Sequence, residues 1–108
     1  MNISSDLQWV RAAGGFDALS APPRLKVLRA LVRRGNKGFS VGELRAKTGI
    51  AASTLAHHLW ALSRAEIIIQ EKSGRETINR ANFDRLQDLA NFIMNECCIE
   101  EHENNGKS

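Results

Sequence analysis

Apolar residues recur at the 3.6-residue spacing of an α-helix in the first third of the chain. This pattern predicts a helix over residues 6–19, which the adjacent glycines Gly14-Gly15 weaken. A second helix is predicted over residues 24–34, because the Pro22-Pro23 pair before it fits the first turn of a helix. We expect its core-facing stripe to comprise Leu25, Leu28, Leu31 and Val32.

Two further helices are predicted on either side of a glycine turn. Ser40 and Glu43 have the spacing of a capping box, so a short helix should begin after Ser40 and end at Thr48-Gly49. Residues 52–64 are again periodic, with an inward-facing side made of Leu55, Leu59 and Leu62. A short helix, a tight turn and a longer helix together indicate a helix-turn-helix.

A β-hairpin and a last helix are predicted beyond residue 65. Residues 67–69 are three isoleucines and favour a strand, residues 72–75 read as a hairpin turn, and residues 77–79 as the return strand. A final helix is predicted over residues 82–98. Its apolar stripe is expected to contain Phe83, Leu86, Leu89, Ala90, Ile93 and Cys97.

The order of these elements predicts a mainly α protein with a small β-hairpin, the layout of a winged helix-turn-helix. We expect one domain over residues 1–108, ordered from about 6 to 98. Residues 52–64 would be the recognition helix, which enters the major groove of DNA, and residues 66–80 the wing. Residues 82–98 would form a dimerisation helix.

Composition agrees with a single globular domain in a reducing compartment. The chain has 108 residues, of which 43% are hydrophobic and 25% charged. Its longest apolar run is far below the roughly 20 residues that cross a bilayer, and its first residues do not resemble a signal peptide. The two cysteines are adjacent and too few for a disulfide framework, so we expect a cytoplasmic protein with no membrane partner.

Charge is distributed unevenly along the chain. The net charge is +3, yet residues 24–47 carry eight basic residues against Glu43 alone, a local charge of +7. Residues 96–108 have a local charge of −3. A polyanion such as nucleic acid is therefore a plausible partner, although a merely solvated basic surface has the same composition.

A helical wheel separates an outer face of residues 52–64 from the leucine face. Ser53, His57, Trp60 and Arg64 point away from the leucines, and His58 lies at the edge. Lys72 and Arg75 flank the predicted hairpin tip, where they could contact phosphates. The residues expected to contact DNA are Ser53, Thr54, His57, His58, Arg64, Lys72 and Arg75.

Five of these seven residues also have a purely structural interpretation. Ser53 and Thr54 could cap the helix, since both residue types favour that position. His58 could be a half-buried packing residue, and Lys72 and Arg75 could belong to a solvated turn. Trp60 is costly to leave exposed, and could pack on the wing or lie against a sugar-phosphate stretch of DNA.

Three segments resemble the ArsR/SmtB family of metal- and metalloid-responsive repressors: LSAPPRLKVLRALV, FSVGELRAKTGIAASTLAHHLWALSRAEII and IQEKSGRETINR. The resemblance covers about residues 16–95, and the run over residues 53–59 followed by Leu62 is typical of that family. It implies a homodimer with five helices and a wing, in which the first and last helices form the interface. It also implies binding to an imperfect palindrome over a promoter, and release when an inducer binds.

The chain departs from this family at several functional positions. Ala51-Ala52 stands where family members often have Ser-Gln, and the wing has no tyrosine. Residues 39–44 contain no thiol, so the Cys-Val-Cys arsenite site of many members is absent. Asp84-Arg85-Leu86 lacks the first histidine of the zinc site that other members build on the last helix.

Cys97 and Cys98 remain as the candidate sensing site. Thiolates are soft ligands for thiophilic ions, although adjacent side chains on a regular helix point about 100° apart and would need rotamer changes or fraying to chelate together. In some members of the family a similar pair responds to trivalent arsenicals. Arsenite prefers three sulfurs and a methylated arsenical needs two, so we expect an arsenical or antimonite inducer, with methylarsenite fitting best. No permanently bound cofactor is expected.

Other interpretations of this region stay open. His102 could donate a further ligand or simply be solvated, and Cys97 could pack in a dimer core. The pair could instead make the protein a redox- or persulfide-sensing repressor on the same scaffold. A third hypothesis is a winged helix used only for protein contacts. An enzyme is not expected, because the sequence shows no carboxylate pair, glycine-rich phosphate loop, metal-ligand spacing or Cys-His dyad.

Overall fold

The computed structural model describes residues 3–96, with side-chain surroundings given for residues 6–95. This part of the chain forms five α-helices and a three-stranded antiparallel sheet, so the predicted winged helix-turn-helix fold is confirmed. The helices are α1 (Ile3–Ala18), α2 (Pro22–Arg34), α3 (Val41–Thr48), α4 (Ala52–Arg64) and α5 (Phe83–Asn91). The strands are β1 (Phe39–Ser40), β2 (Ile68–Ser73) and β3 (Glu76–Ala81). Over this span, no helix combines the length and apolarity that crossing a membrane requires.

Helix α3 begins and ends as its sequence predicts. The Ser40 hydroxyl accepts a hydrogen bond from the Glu43 backbone N–H at 3.2 Å, and the Glu43 carboxylate accepts one from the Ser40 N–H at 2.9 Å. The helix ends where Gly49 adopts a left-handed conformation and donates its N–H to the Arg45 carbonyl. These bonds place α3 and α4 on either side of a turn of three residues.

The buried side of α2 differs from the predicted stripe. Val27 and Leu31 are fully buried and Leu28 is half-buried, whereas Leu25 and Val32 are largely exposed. Apolar residues occur on more than one side of this helix, so periodicity alone could not decide which side faces the core. Contacts with α3, α4 and β3 decide it.

The sheet contains one strand that the sequence pattern did not predict. β2 and β3 form the wing, paired from Ile68↔Ala81 to Ser73↔Glu76 around a two-residue turn. β1 pairs with the base of β3, and the buried Asn79 side chain of β3 donates to the Phe39 carbonyl at 3.2 Å. Gly38 permits this approach, because a Cβ there would lie 2.6 Å from the Asn79 carbonyl oxygen.

The core lies between α2, α3, α4 and the base of the wing. The predicted leucine face of α4 is confirmed, because Leu55, Leu59 and Leu62 are almost completely buried. They share the core with Leu44 of α3 and Ile67, which precedes β2. This packing fixes α4 with its opposite face toward solvent.

Helices α1 and α5 pack together and add Ala12, Ala18 and Leu89 to this core. A Cβ on Gly15 of α1 would lie 2.8 Å from a methyl group of Leu89, so glycine allows the two helices to approach closely. On α5, Leu89 and Arg85 are buried, whereas Phe83 and Ala90 are exposed, as is Ile93 beyond the helix, contrary to the predicted stripe.

The end of the last helix differs from a regular α-helix. After Asn91 the chain continues as a π-helix over Phe92–Glu96. The wider π turn changes which side chains share a face, which explains why the predicted 3.6-residue stripe fails near Ile93. The predicted extension to Cys98 lies outside the described residues.

Candidate nucleic-acid interface

The outer face of α4 presents a row of exposed polar and aromatic side chains. Ser53, His57, Trp60 and Arg64 follow one another at intervals of four, three and four residues, and all four are exposed. Their orientation is the one expected from the helical wheel. Because the leucines opposite hold the helix in the core, the row has a fixed position on the surface.

Trp60 lies between two of its helical neighbours. Its ring is nearly parallel to that of His57, with 6.2 Å between centroids and 18° between planes. The Arg64 guanidinium carbon lies 5.4 Å from the Trp60 ring centroid, within range of a cation–π interaction. Even so, 57% of Trp60 is exposed, which leaves most of its ring available to a partner.

The amino-terminal end of α4 has no side-chain cap. Ala51 occupies the N-cap position, and no side-chain hydrogen bond caps the helix there. Ser53 and Thr54 lie inside the first turn and are exposed, so the capping interpretation of these two residues is wrong. First-turn N–H groups lack partners within a helix and attract anions, and here they lie beside two exposed hydroxyls.

His58 combines a packing contact with a polar one. It is half-buried, and its Nδ1 accepts a hydrogen bond from the Nε of Arg24 in α2 at 3.2 Å. Burial lowers the pKa of His58, and the positive charges of Arg24 and His57 lower it further. The imidazole is therefore held neutral with Nε2 as its donor atom.

The wing tip carries two exposed cations. Lys72 lies opposite Thr77 near the end of β2, and Arg75 lies in the turn beside Gly74. Elsewhere in the wing, Arg80 forms an ion pair with Glu71. Within residues 6–95 neither tip cation takes part in an ion pair, so both carry an exposed, uncompensated charge.

Arg85 is a buried residue whose connecting role sequence reasoning missed. Its Nε donates to the Ala65 carbonyl just after α4 at 3.2 Å, and its Nη2 donates to the Arg11 carbonyl of α1 at 2.7 Å. Arg85 therefore joins α5 to both α1 and the end of α4. The signal available in the sequence was its position one turn before Leu89, on the side of α5 that packs inward.

The candidate sensing residues Cys97 and Cys98, and His102, lie outside the described residues. In the part of the chain that is described, no cluster of three or more histidine, cysteine or acidic side chains is placed to hold a metal ion.

Comparison with known proteins agrees with this geometry. A family model described as a helix-turn-helix domain matches residues 19–71. The transcriptional repressor SdpR of Bacillus subtilis (strain 168) is 31% identical over 80 residues, which cover 74% of this chain and 86% of that protein. The chain belongs to the ArsR family of winged helix-turn-helix transcriptional regulators. ArsR-family proteins are DNA-binding regulators, so the expectation that the chain is not an enzyme is confirmed.

Solved structures with the ArsR-family fold superimpose on most of the chain. An ArsR-like transcriptional regulator from Rhodococcus sp. RHA1 has a TM-score of 0.78 at 24% identity, covering 91% of this chain and 90% of that one. The homodimeric winged helix-turn-helix DNA-binding domain of a possible ArsR-family regulator from Mycobacterium bovis has a TM-score of 0.71 at 21% identity. In that pair, 83% of this chain and 82% of the other are covered.

Proposed function

We propose that this ArsR-family protein is a homodimeric transcriptional repressor that binds an imperfect palindromic operator in duplex DNA. The observation that carries the proposal is the exposed row on α4, held in place by a fully buried leucine face and accompanied by a basic wing tip. A helix of this kind fits the major groove, while a basic β-ribbon reaches neighbouring phosphates. The similarity to SdpR supports repression as the outcome of binding.

The residues divide into two kinds of contact. Ser53, Thr54 and His57 are near the uncapped start of α4, where a recognition helix meets base edges. His58 would add its Nε2 donor from the edge of this surface. Lys72, Arg75 and Arg64 would contact phosphates, which position the protein without reading sequence.

A homodimer would bring two such surfaces to one operator. In the described chain, Leu7 and Val10 of α1 and Met94 beyond α5 are large apolar side chains with more than half of their surface exposed. Exposed apolar groups concentrated on two adjacent helices are typical of a protein–protein interface. The homodimeric relative from Mycobacterium bovis, which has the same fold, supports this arrangement.

We further propose that a trivalent arsenical or antimonite, with methylarsenite fitting the thiol count best, releases the repressor by binding Cys97 and Cys98. The π-helical turn over Phe92–Glu96 supports this proposal, because the helix leaves regular α geometry immediately before the two thiols. Phe92 packs edge-to-face on Trp9 of α1 at 5.0 Å, and Arg85 connects α5 to the end of α4. A change at the thiols therefore has a short path to the dimer helices and to the recognition helix.

DNA binding is tested with a labelled duplex covering the region upstream of the protein's own gene. Changing Ser53 and His57 to alanine should weaken binding to this duplex about 10-fold or more relative to an unrelated duplex, since each removes a group that reads bases. Changing Lys72 and Arg75 to glutamine should weaken binding to both duplexes alike. Equal affinity of wild type and both double variants for the upstream duplex would contradict the proposed surface.

Inducer release is tested by titrating the protein–DNA complex with methylarsenite, arsenite, antimonite, zinc and an oxidant. Release by the arsenicals or antimonite should disappear in Cys97→Ser and in Cys98→Ser. Mass spectrometry of the reduced protein should then show a bound arsenic adduct, whereas a disulfide or polysulfide would favour the redox-sensing alternative. If every compound releases both variants from DNA just as it releases the wild type, the proposed sensing site is wrong.

A further inference from the structure

Five basic side chains line a groove between α2 and the end of α3, outside the exposed row of α4. The groove has a volume of about 520 Å³. Its charged lining consists of Lys26, Arg29, Arg33, Arg34 and Lys47, and its remaining lining of Ala30, Phe39 and Thr48. No acidic residue lines it, and it accounts for most of the local charge of +7 noted for residues 24–47.

Only one of these five cations has a structural role within the described chain. Arg34 donates to the Gly38 carbonyl at 3.0 Å, lies 4.6 Å from the Phe39 ring centroid and is 3.7 Å from the Glu43 carboxylate. Lys26, Arg29, Arg33 and Lys47 are exposed and take part in no ion pair among the described side chains. Four positive charges near one another repel each other, so an anion bound in the groove would reduce the electrostatic repulsion present in the free protein.

The arrangement of these cations fits an extended polyanion better than a compact one. Lys26, Arg29 and Arg33 are spaced by three and four residues, which places them in a row about 10 Å long on one face of α2. Successive phosphates of one DNA strand are about 3.4 Å apart along the axis, so a strand running beside this row meets several of them.

The α3 end of the groove is also close in sequence to the surface proposed to bind DNA. Lys47 and Thr48 end α3, and the uncapped start of α4 follows after a turn of three residues. Because the first turn of α4 is proposed to meet base edges, the phosphates just outside those base pairs would be within reach of the groove.

We propose that the α2–α3 groove binds the phosphate backbone of the same duplex, next to the segment that α4 reads. The inference rests on the proposed DNA-binding function and extends its footprint beyond α4 and the wing. Each cation that neutralises a phosphate releases counterions, so the groove would contribute affinity and salt dependence without sequence preference.

The test compares Arg29→Gln/Arg33→Gln with wild type on the upstream duplex, using fluorescence anisotropy over a series of KCl concentrations. K here is the association constant for DNA. Each lost phosphate contact reduces the slope of log K against log [KCl] by about 0.9, so the slope should become shallower by about 2 for each protomer. Arg29→Lys/Arg33→Lys keeps the charge and should retain the wild-type slope. Arg11→Gln removes a charge from α1, outside the groove, and should leave the slope unchanged.

The possible failures are distinguishable. If wild type shows no salt-dependent DNA binding, the proposed function fails and this inference fails with it. If wild type binds while Arg29→Gln/Arg33→Gln keeps the wild-type slope, the inference alone is overturned. Calorimetric titration with inorganic triphosphate in the absence of DNA then identifies the occupant. If the double variant keeps the wild-type DNA slope but loses micromolar binding of triphosphate, the groove binds a small polyphosphate and the backbone contact is overturned.

Discussion

At the scale of single residues, His58 connects the core of the helix-turn-helix to its exposed face. Its Nδ1 can accept the hydrogen bond from Arg24 only while the imidazole is neutral. Burial lowers the pKa of His58, and the charges of Arg24 and His57 act in the same direction. Protonation would therefore break a bond between α2 and α4 and place two cations side by side.

The lowered pKa of His58 predicts that stability depends on pH in a defined direction. In the unfolded chain histidine titrates near its ordinary pKa of about 6.5, so below this pH the unfolded state binds more protons than the folded state. The contribution of His58 to stability is therefore fully present above about pH 7 and is lost as pH falls through the lowered pKa. Urea unfolding of wild type and His58→Gln between about pH 7.5 and 5.5 measures this loss.

The variant His58→Gln should show a weaker dependence of its unfolding free energy on pH than wild type over this range. His57→Gln is the matched control, because His57 is an exposed neighbour on the same helix. Its charge is the smallest of the three causes that lower the pKa of His58, so this variant should keep most of the wild-type dependence. If the unfolding free energy of His58→Gln depends on pH just as that of wild type does, another group governs stability at acidic pH.

Local patterns predicted some residue roles and could not predict others. The Ser40–Glu43 capping box and the buried leucines of α4 follow from spacing within a few residues. The bond between Arg24 and His58 joins residues 34 positions apart, and Arg85 reaches the carbonyl of Arg11 across 74 positions. Such contacts depend on how helices pack, so the sequence around each residue holds no periodic signal for them.

At the scale of elements, the close approach of α1 and α5 depends on one glycine of an adjacent pair. Gly14 is exposed, and a Cβ there would meet no atom within 4 Å. Gly15 is buried, and a Cβ there would lie 2.8 and 2.9 Å from the two methyl groups of Leu89 and 3.0 Å from Arg85 Nη2. The two glycines that weaken the sequence prediction of this helix therefore have different roles.

Alanine at these two positions should change stability in opposite directions. Gly14→Ala should stabilise the protein by about 0.5–1 kcal/mol, because glycine inside a helix costs conformational entropy. Gly15→Ala should destabilise it by about 1 kcal/mol or more, because the added methyl group overpacks the contact with Leu89. Thermal unfolding of both variants against wild type measures the difference, and equal effects would mean that α1 and α5 do not meet at Gly15.

Elements were predictable where their signal is local. The helical periodicity of residues 52–64 and the turn predicted over residues 72–75 were enough to predict α4 and the wing. Strand β1 has only two residues, too few for alternation, and it exists because Phe39 and Ser40 pair with a strand about 40 positions away. The π-helical turn at Phe92–Glu96 also has no periodic signature, since it begins with three consecutive apolar residues and ends with two polar ones.

At the scale of the whole molecule, α1 and the turn beyond α5 carry a group of exposed apolar side chains. Trp9 packs edge-to-face on Phe92, joining α1 to the turn beyond α5. Beside this pair, Leu7, Val10, Ile93 and Met94 remain largely exposed. Because the Trp9–Phe92 contact joins the two elements, we expect their exposed apolar side chains to contribute to one twofold interface.

A charge on this surface should separate the proposed homodimer. Val10 is 69% exposed, so Val10→Glu leaves the core of one chain undisturbed while placing carboxylates in a twofold contact. Sedimentation of Val10→Glu should shift from dimer to monomer at micromolar concentration. Ile69→Glu, which adds the same charge at an exposed isoleucine of the wing, should sediment as wild type.

The same variant also tests whether two recognition helices act together on one operator. In a dimer, binding of the first half-site brings the second helix to its half-site at high effective concentration. Val10→Glu should therefore weaken binding to the full upstream duplex far more than to a duplex containing a single half-site. If Val10→Glu is monomeric and yet binds the full duplex as tightly as wild type does, each chain reads DNA on its own and the twofold arrangement has no role in recognition.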